Sequence, residues 1–220
     1  MLTMKHISAG IVIGSLLLGG CTSKVVDSNE FSGFLPDYTK LQKAESSSGQ
    51  TVLRWMDSTV DTKNYTNLYY EPITFYPAPK PTAQISQDTL NQVLNYTNQN
   101  IKSAFGQRFT LVNSPKAPNT LIFRGAITGV ATANEGLHFY EVVPVALVIA
   151  GTMAATGERD QNTELFFEGE LIDSSTGKPV FTVVRKGFGK PLDDNAQKVT
   201  VDDLKKIVTD MASDITRFKK

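Results

Sequence analysis

The sequence predicts an α+β domain with a mainly antiparallel sheet and helices packed on one face. Three observations predict this fold. Apolar residues recur at helical spacing in two segments, residues 162–188 alternate as a β-hairpin does, and short strand-like segments lie in between. A cleaved signal and a flexible tether are expected to precede the domain, which divides the chain into residues 1–20, 21–50 and 51–220.

The composition excludes several classes of protein. A chain of 220 residues with 40% hydrophobic content can bury one core without disulfides. Its single cysteine rules out an intramolecular disulfide and a cysteine-built metal cage. The 22 basic residues balance the 22 acidic ones, whereas a nucleic-acid-binding protein normally carries a basic excess. We therefore expect no nucleic-acid partner.

The N-terminus has the pattern of an export signal. Lys5 precedes the apolar residues 7–18, and Gly19 and Gly20 then lead to Cys21. As a helix the apolar segment would span about 18 Å, which is short of the roughly 30 Å hydrocarbon core of a bilayer. This length favours a signal that is cleaved over a permanent membrane span.

The residues Leu18-Gly19-Gly20-Cys21 resemble the lipobox of bacterial lipoproteins. The resemblance implies that the Cys21 thiol receives diacylglycerol, that cleavage follows Gly20, and that a fatty acid such as palmitate acylates the new amino group. Several acyl chains anchor a protein far more durably than one. Thr22 resembles the sorting pattern of Gram-negative lipoproteins that reside on the periplasmic face of the outer membrane. The alternative is an ordinary secretory signal with an incidental cysteine.

Residues 21–50 are expected to form the lipidated tether. They are mostly polar, and residues 46–49 have the composition of a flexible linker. Within them lies an amphipathic segment, residues 31–41, that includes Phe34 and Tyr38. We expect this segment to dock on the folded domain, and the alternative is a peptide that binds a partner.

The first half of the domain is expected to contain two strands followed by a helix. Residues 51–57 and 67–76 have the composition of strands, and Pro72 in the second indicates an edge or a bulge. A helix is predicted to begin at Ser86 and to stop at Gly106. Its apolar stripe consists of Leu90, Val93, Leu94, Ile101 and Phe105.

The second half is expected to contain four strands and a closing helix. Residues 108–112 and 120–132 are predicted as strands, and residues 162–173 and 179–188 as a hairpin whose turn contains Gly177. Thr200 and Asp203 have the spacing of a capping box. The helix that follows has an apolar side made of Leu204, Ile207, Val208, Met211, Ile215 and Phe218.

An apolar segment without a charge runs from Val142 to Ala155. As a helix it would span about 21 Å, too short to cross a bilayer. A buried helix against the sheet is the favoured interpretation. A buried strand and a surface that meets lipid or a partner remain open.

The sequence predicts no catalytic residues, no metal site and no cofactor. Signal cleavage removes His6 and leaves His138 as the only histidine, so no serine or cysteine catalytic triad can be assembled without it. Glu164, Glu168 and Glu170 recur at even spacing on a predicted strand, which is typical of a solvated sheet face. A carboxylate pair within the acidic stretch from Glu158 to Glu170 would instead suit glycan hydrolysis.

The aromatic residues provide a candidate binding surface. Tyr69 and Tyr70 lie among several tyrosines, and alternation along a strand would expose some of them for stacking on a sugar or a peptide. Burial within the sheet is the commoner outcome. The candidate binding residues are Phe34, Tyr38, Tyr69, Tyr70, Glu164 and Glu168.

The order of several short motifs along the chain resembles one protein family. These motifs are Ser32-Gly33-Phe34-Leu35-Pro36-Asp37-Tyr38, Leu53-Arg54-Trp55, Glu71-Pro72, Val143-Pro144-Val145, Ala155-Thr156-Gly157, Asp173-Ser174 with Thr176-Gly177, Val184-Arg185-Lys186-Gly187 and Asp210-Met211-Ala212. The family is that of the bacterial lipoproteins with a domain of unknown function numbered 3313. The resemblance implies an envelope lipoprotein and carries over no catalytic residue.

We therefore expect a non-enzymatic lipoprotein that is attached to the membrane through its N-terminal lipid. It would bind or assemble with an envelope protein or with peptidoglycan. Two alternatives remain, a carboxylate-dependent hydrolase of cell-wall glycan and a structural subunit of an envelope transport or secretion assembly. The second would dock through the apolar segment that begins at Val142.

Overall fold

One β-sheet and two helices build the domain in the computed structural model, which describes residues 25–133, 147–149, 161–194 and 196–218. Within these ranges the strands are β1 (Gln42–Glu45), β2 (Thr51–Met56), β3 (Asn67–Tyr70), β4 (Thr74–Phe75), β5 (Thr110–Val112), β6 (Thr120–Ala133), β7 (Leu147–Ile149), β8 (Gln161–Asp173) and β9 (Pro179–Leu192). The helices are α1 (Gln87–Gly106) and α2 (Val201–Arg217). Short 3-10 turns occupy Ser28–Glu30 and Thr62–Asn64.

The sheet is mixed, so the prediction of an α+β domain is correct and that of a mainly antiparallel sheet is correct only in part. Strands β1, β2, β9, β8 and β6 follow one another in antiparallel pairs. Beyond β6 the pairing is parallel: β3, β4 and β7 each run parallel to β6, and β5 runs parallel to β3. Strands β3 and β5 can pair in parallel because α1 lies between them in the sequence. Two parallel strands need such a crossover connection, which returns the chain to the end of the sheet where the first strand began.

Both helices pack on the same face of the sheet, as predicted. The Ser86 hydroxyl accepts the backbone N–H of Thr89 at the start of α1, and Thr200 and Asp203 form the expected capping box of α2. Their buried side chains join one core with the strands, made of residues such as Leu90, Ile101, Phe105, Phe123, Ile127, Leu165, Leu204, Ile207 and Met211. A Cβ on Gly189 would overlap the Asp203 carbonyl oxygen, so this glycine allows α2 to approach β9 closely.

Two predicted segments differ from the structure. Residues 67–76 form two strands instead of one, because the chain leaves the ladder around Pro72, which has no N–H to donate. In the apolar segment, Leu147–Ile149 pairs with β6 as a strand and not as a helix. The other residues of that segment, and His138, lie outside the described residues. Across the described part of the chain, no helix combines the length and the apolar character needed to span a bilayer.

The folded domain begins earlier than residue 51. Residues 46–49, expected to be linker, form the turn of the hairpin between β1 and β2, where Gly49 has a φ of +78°. The backbone N–H of Ser48 donates a 2.6 Å hydrogen bond to Oδ1 of Asp214 on α2. This contact joins the turn to the far end of the chain, which the local composition could not indicate.

Candidate functional site

The candidate site lies on the face of the sheet opposite the helices. Alternation along β8 places Glu164, Glu168 and Glu170 on this face, as predicted. The prediction that the face is solvated is wrong, because these side chains are only 2%, 1% and 1% exposed, respectively. Residues 26–41, called the strap below, cross the face and contribute to this burial.

The strap is held to the sheet by apolar packing. Val26 and Leu35 are buried against a cluster formed by Ala131, Phe166 and Val184 of the sheet. The rings of Phe31 and Tyr38 stack at a centroid distance of 4.4 Å, and both pack on the same cluster. The amphipathic segment of the sequence thus lies on the domain.

Glu168 joins the strap to the centre of β8. Its Oε2 accepts a 2.6 Å hydrogen bond from the Tyr38 hydroxyl, and its Oε1 accepts a 2.9 Å bond from the Ser32 backbone N–H. Burial, followed by the hydrogen bond to Glu168, raises the pKa of Tyr38 to about 12. The hydroxyl therefore keeps its proton and acts as a donor.

A second polar contact joins the start of the strap to β8 and β9. Lys186 Nζ lies 3.1 Å from Oε2 of Glu164 and 3.9 Å from Oε1 of Glu30 in the strap. Burial raises the pKa of both Glu164 and Glu30 above the ordinary value of 4.5, and the positive charge of Lys186 opposes this effect. One buried cation therefore joins a carboxyl group of the strap to a carboxyl group of the sheet.

The third polar contact involves Arg124 of β6. Its Nη1 lies 2.9 Å from Oε1 of Glu170, and its Nε lies 3.7 Å from Oε2 of Glu71. Burial raises the pKa of Glu170 and Arg124 opposes the rise. The guanidinium also lies 5.6 Å from the ring of Phe34, which it contacts as a cation–π pair. Phe34 is thereby fixed over the sheet.

These contacts shorten the tether. The chain is packed from Val26 onward, so five residue steps separate it from Cys21. Five steps of fully extended chain reach at most about 18 Å. Within residues 21–50, the amphipathic segment docks on the domain as expected, and apolar and ionic contacts hold the strap on the sheet from Val26 onward.

The predicted binding residues do not form one surface. Phe34 and Tyr38 lie on the strap, and Glu164 and Glu168 are buried beneath it. Tyr69 and Tyr70 are adjacent in β3, so their side chains point to opposite faces. Tyr70 stacks on Phe123 at 5.1 Å on the helix side, and burial raises its pKa. The buried carboxylates are also not placed to meet a glycan.

One feature that the sequence did not reveal is a cavity of about 150 Å³ on the helix face of the sheet. Arg185 of β9 reaches it, although this side chain is only 6% exposed. Its Nη1 lies 2.7 Å from Oδ2 of Asp214 on α2. The sequence feature that could have indicated this cavity is the position of Arg185, a cation at an inward-facing position of a mainly apolar strand. Among the described residues, no cluster of three histidine, cysteine or acidic side chains could hold a metal ion.

Comparison with known proteins places the chain among lipoproteins without an assigned activity. It is 48% identical over 218 residues to the uncharacterized lipoprotein YdcL of Escherichia coli strain K12, which covers 99% of this chain and 98% of that protein. The same figures hold for the protein of that name in E. coli O157:H7. The name of these relatives agrees with the lipobox that ends at Cys21.

Two solved structures show only a distant likeness. The PelC dodecamer of Paraburkholderia phytofirmans matches 77% of this chain and 99% of its own, with a TM-score of 0.38 and 10% identity. A homolog of the neuraminyllactose-binding hemagglutinin from Helicobacter pylori matches 84% of this chain and 94% of its own, with a TM-score of 0.36 and 8% identity. The model of the family "Protein of unknown function (DUF3313)" matches residues 30–215, from within the strap to the last turn of α2, and the chain belongs to that family.

Proposed function

We propose that this protein is a non-enzymatic lipoprotein of the bacterial envelope that binds another envelope component at the surface of the membrane carrying its lipid. The observation that carries this proposal is the strap, whose docking leaves a tether of at most about 18 Å between Cys21 and Val26. A domain on so short a tether works next to the membrane and not at a distance from it.

The anchor in this proposal is the acylated Cys21. The lipobox and the lipoprotein relatives support attachment to a membrane of the envelope. Thr22 supports the finer proposal that this membrane is the outer membrane and that the domain faces the periplasm. Because basic and acidic residues balance, electrostatic attraction to anionic lipids adds little, and the acyl chains hold the protein.

The proposed partner is an envelope protein, or a glycan that comes close to the membrane surface. The short tether favours a component that lies at or in the same membrane. Hydrolysis of a glycan by the acidic residues of β8 is disfavoured for a separate reason, because Glu164, Glu168 and Glu170 are buried under the strap.

Membrane fractionation tests the anchor and its sorting. The wild-type chain should be recovered in the outer membrane with an acylated N-terminal peptide that begins at Cys21, detected by mass spectrometry. Cys21→Ser should be released from that membrane, and Thr22→Asp should remain acylated but move to the inner membrane. Outer-membrane recovery of Cys21→Ser equal to that of the wild type would refute the anchor.

A further inference from the structure

The cavity on the helix face has the properties of a binding site for a small amphiphile. It lies between α2, the C-terminal end of α1 and the strands β2, β9 and β8. Its wall includes the apolar side chains of Phe105, Phe167, Leu171, Val183 and Ile215. We propose that it binds a small carboxylate with an apolar tail, a binding activity that is separate from the proposed envelope partner and does not depend on the lipid anchor.

The volume sets the size of the tail. A cavity of about 150 Å³ lined by leucine, isoleucine and phenylalanine side chains is known to admit a benzene molecule. The corresponding space here suits a ring or an aliphatic chain of about six carbons. Phe167 lies against Gly169, where an added Cβ would come within 2.9 Å of its ring. The absence of a side chain at Gly169 therefore makes room for this ring beside the sheet.

Arg185 supplies the polar group. It is 94% buried on the wall of the cavity, and its Nη1 is paired with Asp214. Its Nε is buried and finds no hydrogen-bond acceptor among the described residues. A buried donor without an acceptor is costly, and a ligand oxygen that accepts from Nε would remove that cost.

The charges around the cavity favour a carboxylate over a neutral oxygen. Three arginines, Arg54, Arg108 and Arg185, are among the residues that line it. Of the two carboxylates among the lining residues, Asp214 is paired with Arg185, and Glu170 projects to the strap face, where Arg124 pairs with it. One more negative charge is therefore complementary to the site.

The rim holds two of these cations in place. The Arg54 guanidinium lies 5.4 Å from the Phe218 ring, and Arg108 Nη1 donates a 2.9 Å hydrogen bond to the Ile215 carbonyl. Arg108 also donates to the carbonyl of Phe218. The last turn of α2 is thus fixed beside the cavity, with cations on both sides of it.

The test uses hexanoate with the full mature chain, residues 21–220, carrying Cys21→Ser so that no detergent or lipid competes. Hexanoate should raise the melting temperature saturably, and methyl signals of Leu171, Val183 and Ile215 should shift in NMR spectra. Hexan-1-ol should bind at least about tenfold more weakly, because its neutral hydroxyl accepts a weaker hydrogen bond from Arg185 than a carboxylate does. Equal binding of the alcohol, or no binding of hexanoate, would overturn the proposal.

Variants locate the site. Val183→Phe, or Leu171→Phe on the neighbouring strand, fills the cavity and should lower hexanoate affinity by at least about tenfold. Arg185→Lys keeps a cation for Asp214 but removes the Nε donor, and should have a similar effect. Val112→Phe on the edge strand β5 is the matched control and should bind like the parent chain. Undiminished binding by a folded Val183→Phe chain would place hexanoate elsewhere and contradict the assignment.

Discussion

The hydroxyl of Tyr38 donates a 2.6 Å hydrogen bond to Oε2 of Glu168, which joins the strap to the middle of the sheet. Glu168 is 1% exposed, and its other oxygen accepts the Ser32 N–H. The chain next to the proposed lipid is therefore part of the folded domain. This relationship makes the tether short and gives the strap its specific position.

Tyr38→Phe should destabilise the domain by about 1.5–3 kcal/mol, because a buried carboxylate loses a hydrogen-bond donor. Urea unfolding measures this free energy. Trypsin should also cleave faster after the exposed Lys40, since the strap is held less firmly. Tyr69→Phe, on β3 and outside the strap, is the control for removing a hydroxyl. Equal effects of the two substitutions would contradict the role of the Tyr38–Glu168 bond.

Stability should fall as the pH rises from mildly acidic values toward neutrality. Burial raises the pKa of Glu30, Glu164 and Glu170 above 4.5 in the folded state, so the folded state holds more protons than the unfolded chain in the interval above 4.5. At lower pH the stability instead decreases as the pH falls. Hydrogen bonds from Ser175 lower the pKa of Asp173 below 3.8 in the folded state, so stability is lost as Asp173 becomes protonated.

Glu164→Gln tests this pH dependence. It removes one of the acids with a raised pKa, so the loss of stability between mildly acidic and neutral pH should become smaller. Urea midpoints measured across this range give the slope. Glu45→Gln, at an exposed position of β1, is the control and should leave the slope unchanged. A slope that Glu164→Gln does not alter would show that this carboxyl does not titrate as proposed.

Asp214→Ala should cost about 3–5 kcal/mol, since it leaves the Arg185 guanidinium buried without its carboxylate. It also removes the acceptor of the Ser48 N–H, which fixes the β1–β2 turn. Asp210→Ala provides a control on the same helix, because its pair with the exposed Lys206 should contribute about 0–1 kcal/mol. Calorimetric unfolding of both variants separates the two cases, and similar losses would contradict the buried pair.

Gly189→Ala should be strongly destabilising. The new Cβ would overlap the Asp203 carbonyl oxygen, so α2 would have to move away from β9 at a cost of about 1–3 kcal/mol or more. Gly106→Ala, at the end of α1, meets only ordinary contacts of 3.5 Å and should be neutral or stabilising. Thermal unfolding compares the two glycines, and a tolerated Gly189→Ala would show that this packing is not required.

Local signals account for the elements that could be predicted. The β8–β9 hairpin follows from alternation on both sides of Asp173 and Gly177, whose turn needs an acceptor and a positive φ. The start of α2 follows from Thr200 and Asp203, which lie three residues apart. Each of these features depends on residues that are close in sequence, so a single sequence is enough to find it.

Contacts between distant residues account for what was missed. The burial of Glu168 depends on Tyr38, which is 130 residues away in the chain, and no alternation pattern contains that information. The hairpin turn that contains Ser48 depends on Asp214 in the last helix. The cavity likewise exists only where α2 crosses the sheet beside Arg185.

Neutron reflectometry of the lipidated chain on a supported bilayer measures the length of the tether that the docked strap leaves between the membrane and the domain. The wild type should show a solvent gap no wider than about 18 Å between headgroups and protein. A double variant, Phe31→Ala with Tyr38→Ala, should release the strap and widen the gap, because the free chain then extends from Cys21 toward β1. A wild-type gap as wide as that of the released variant would contradict the account.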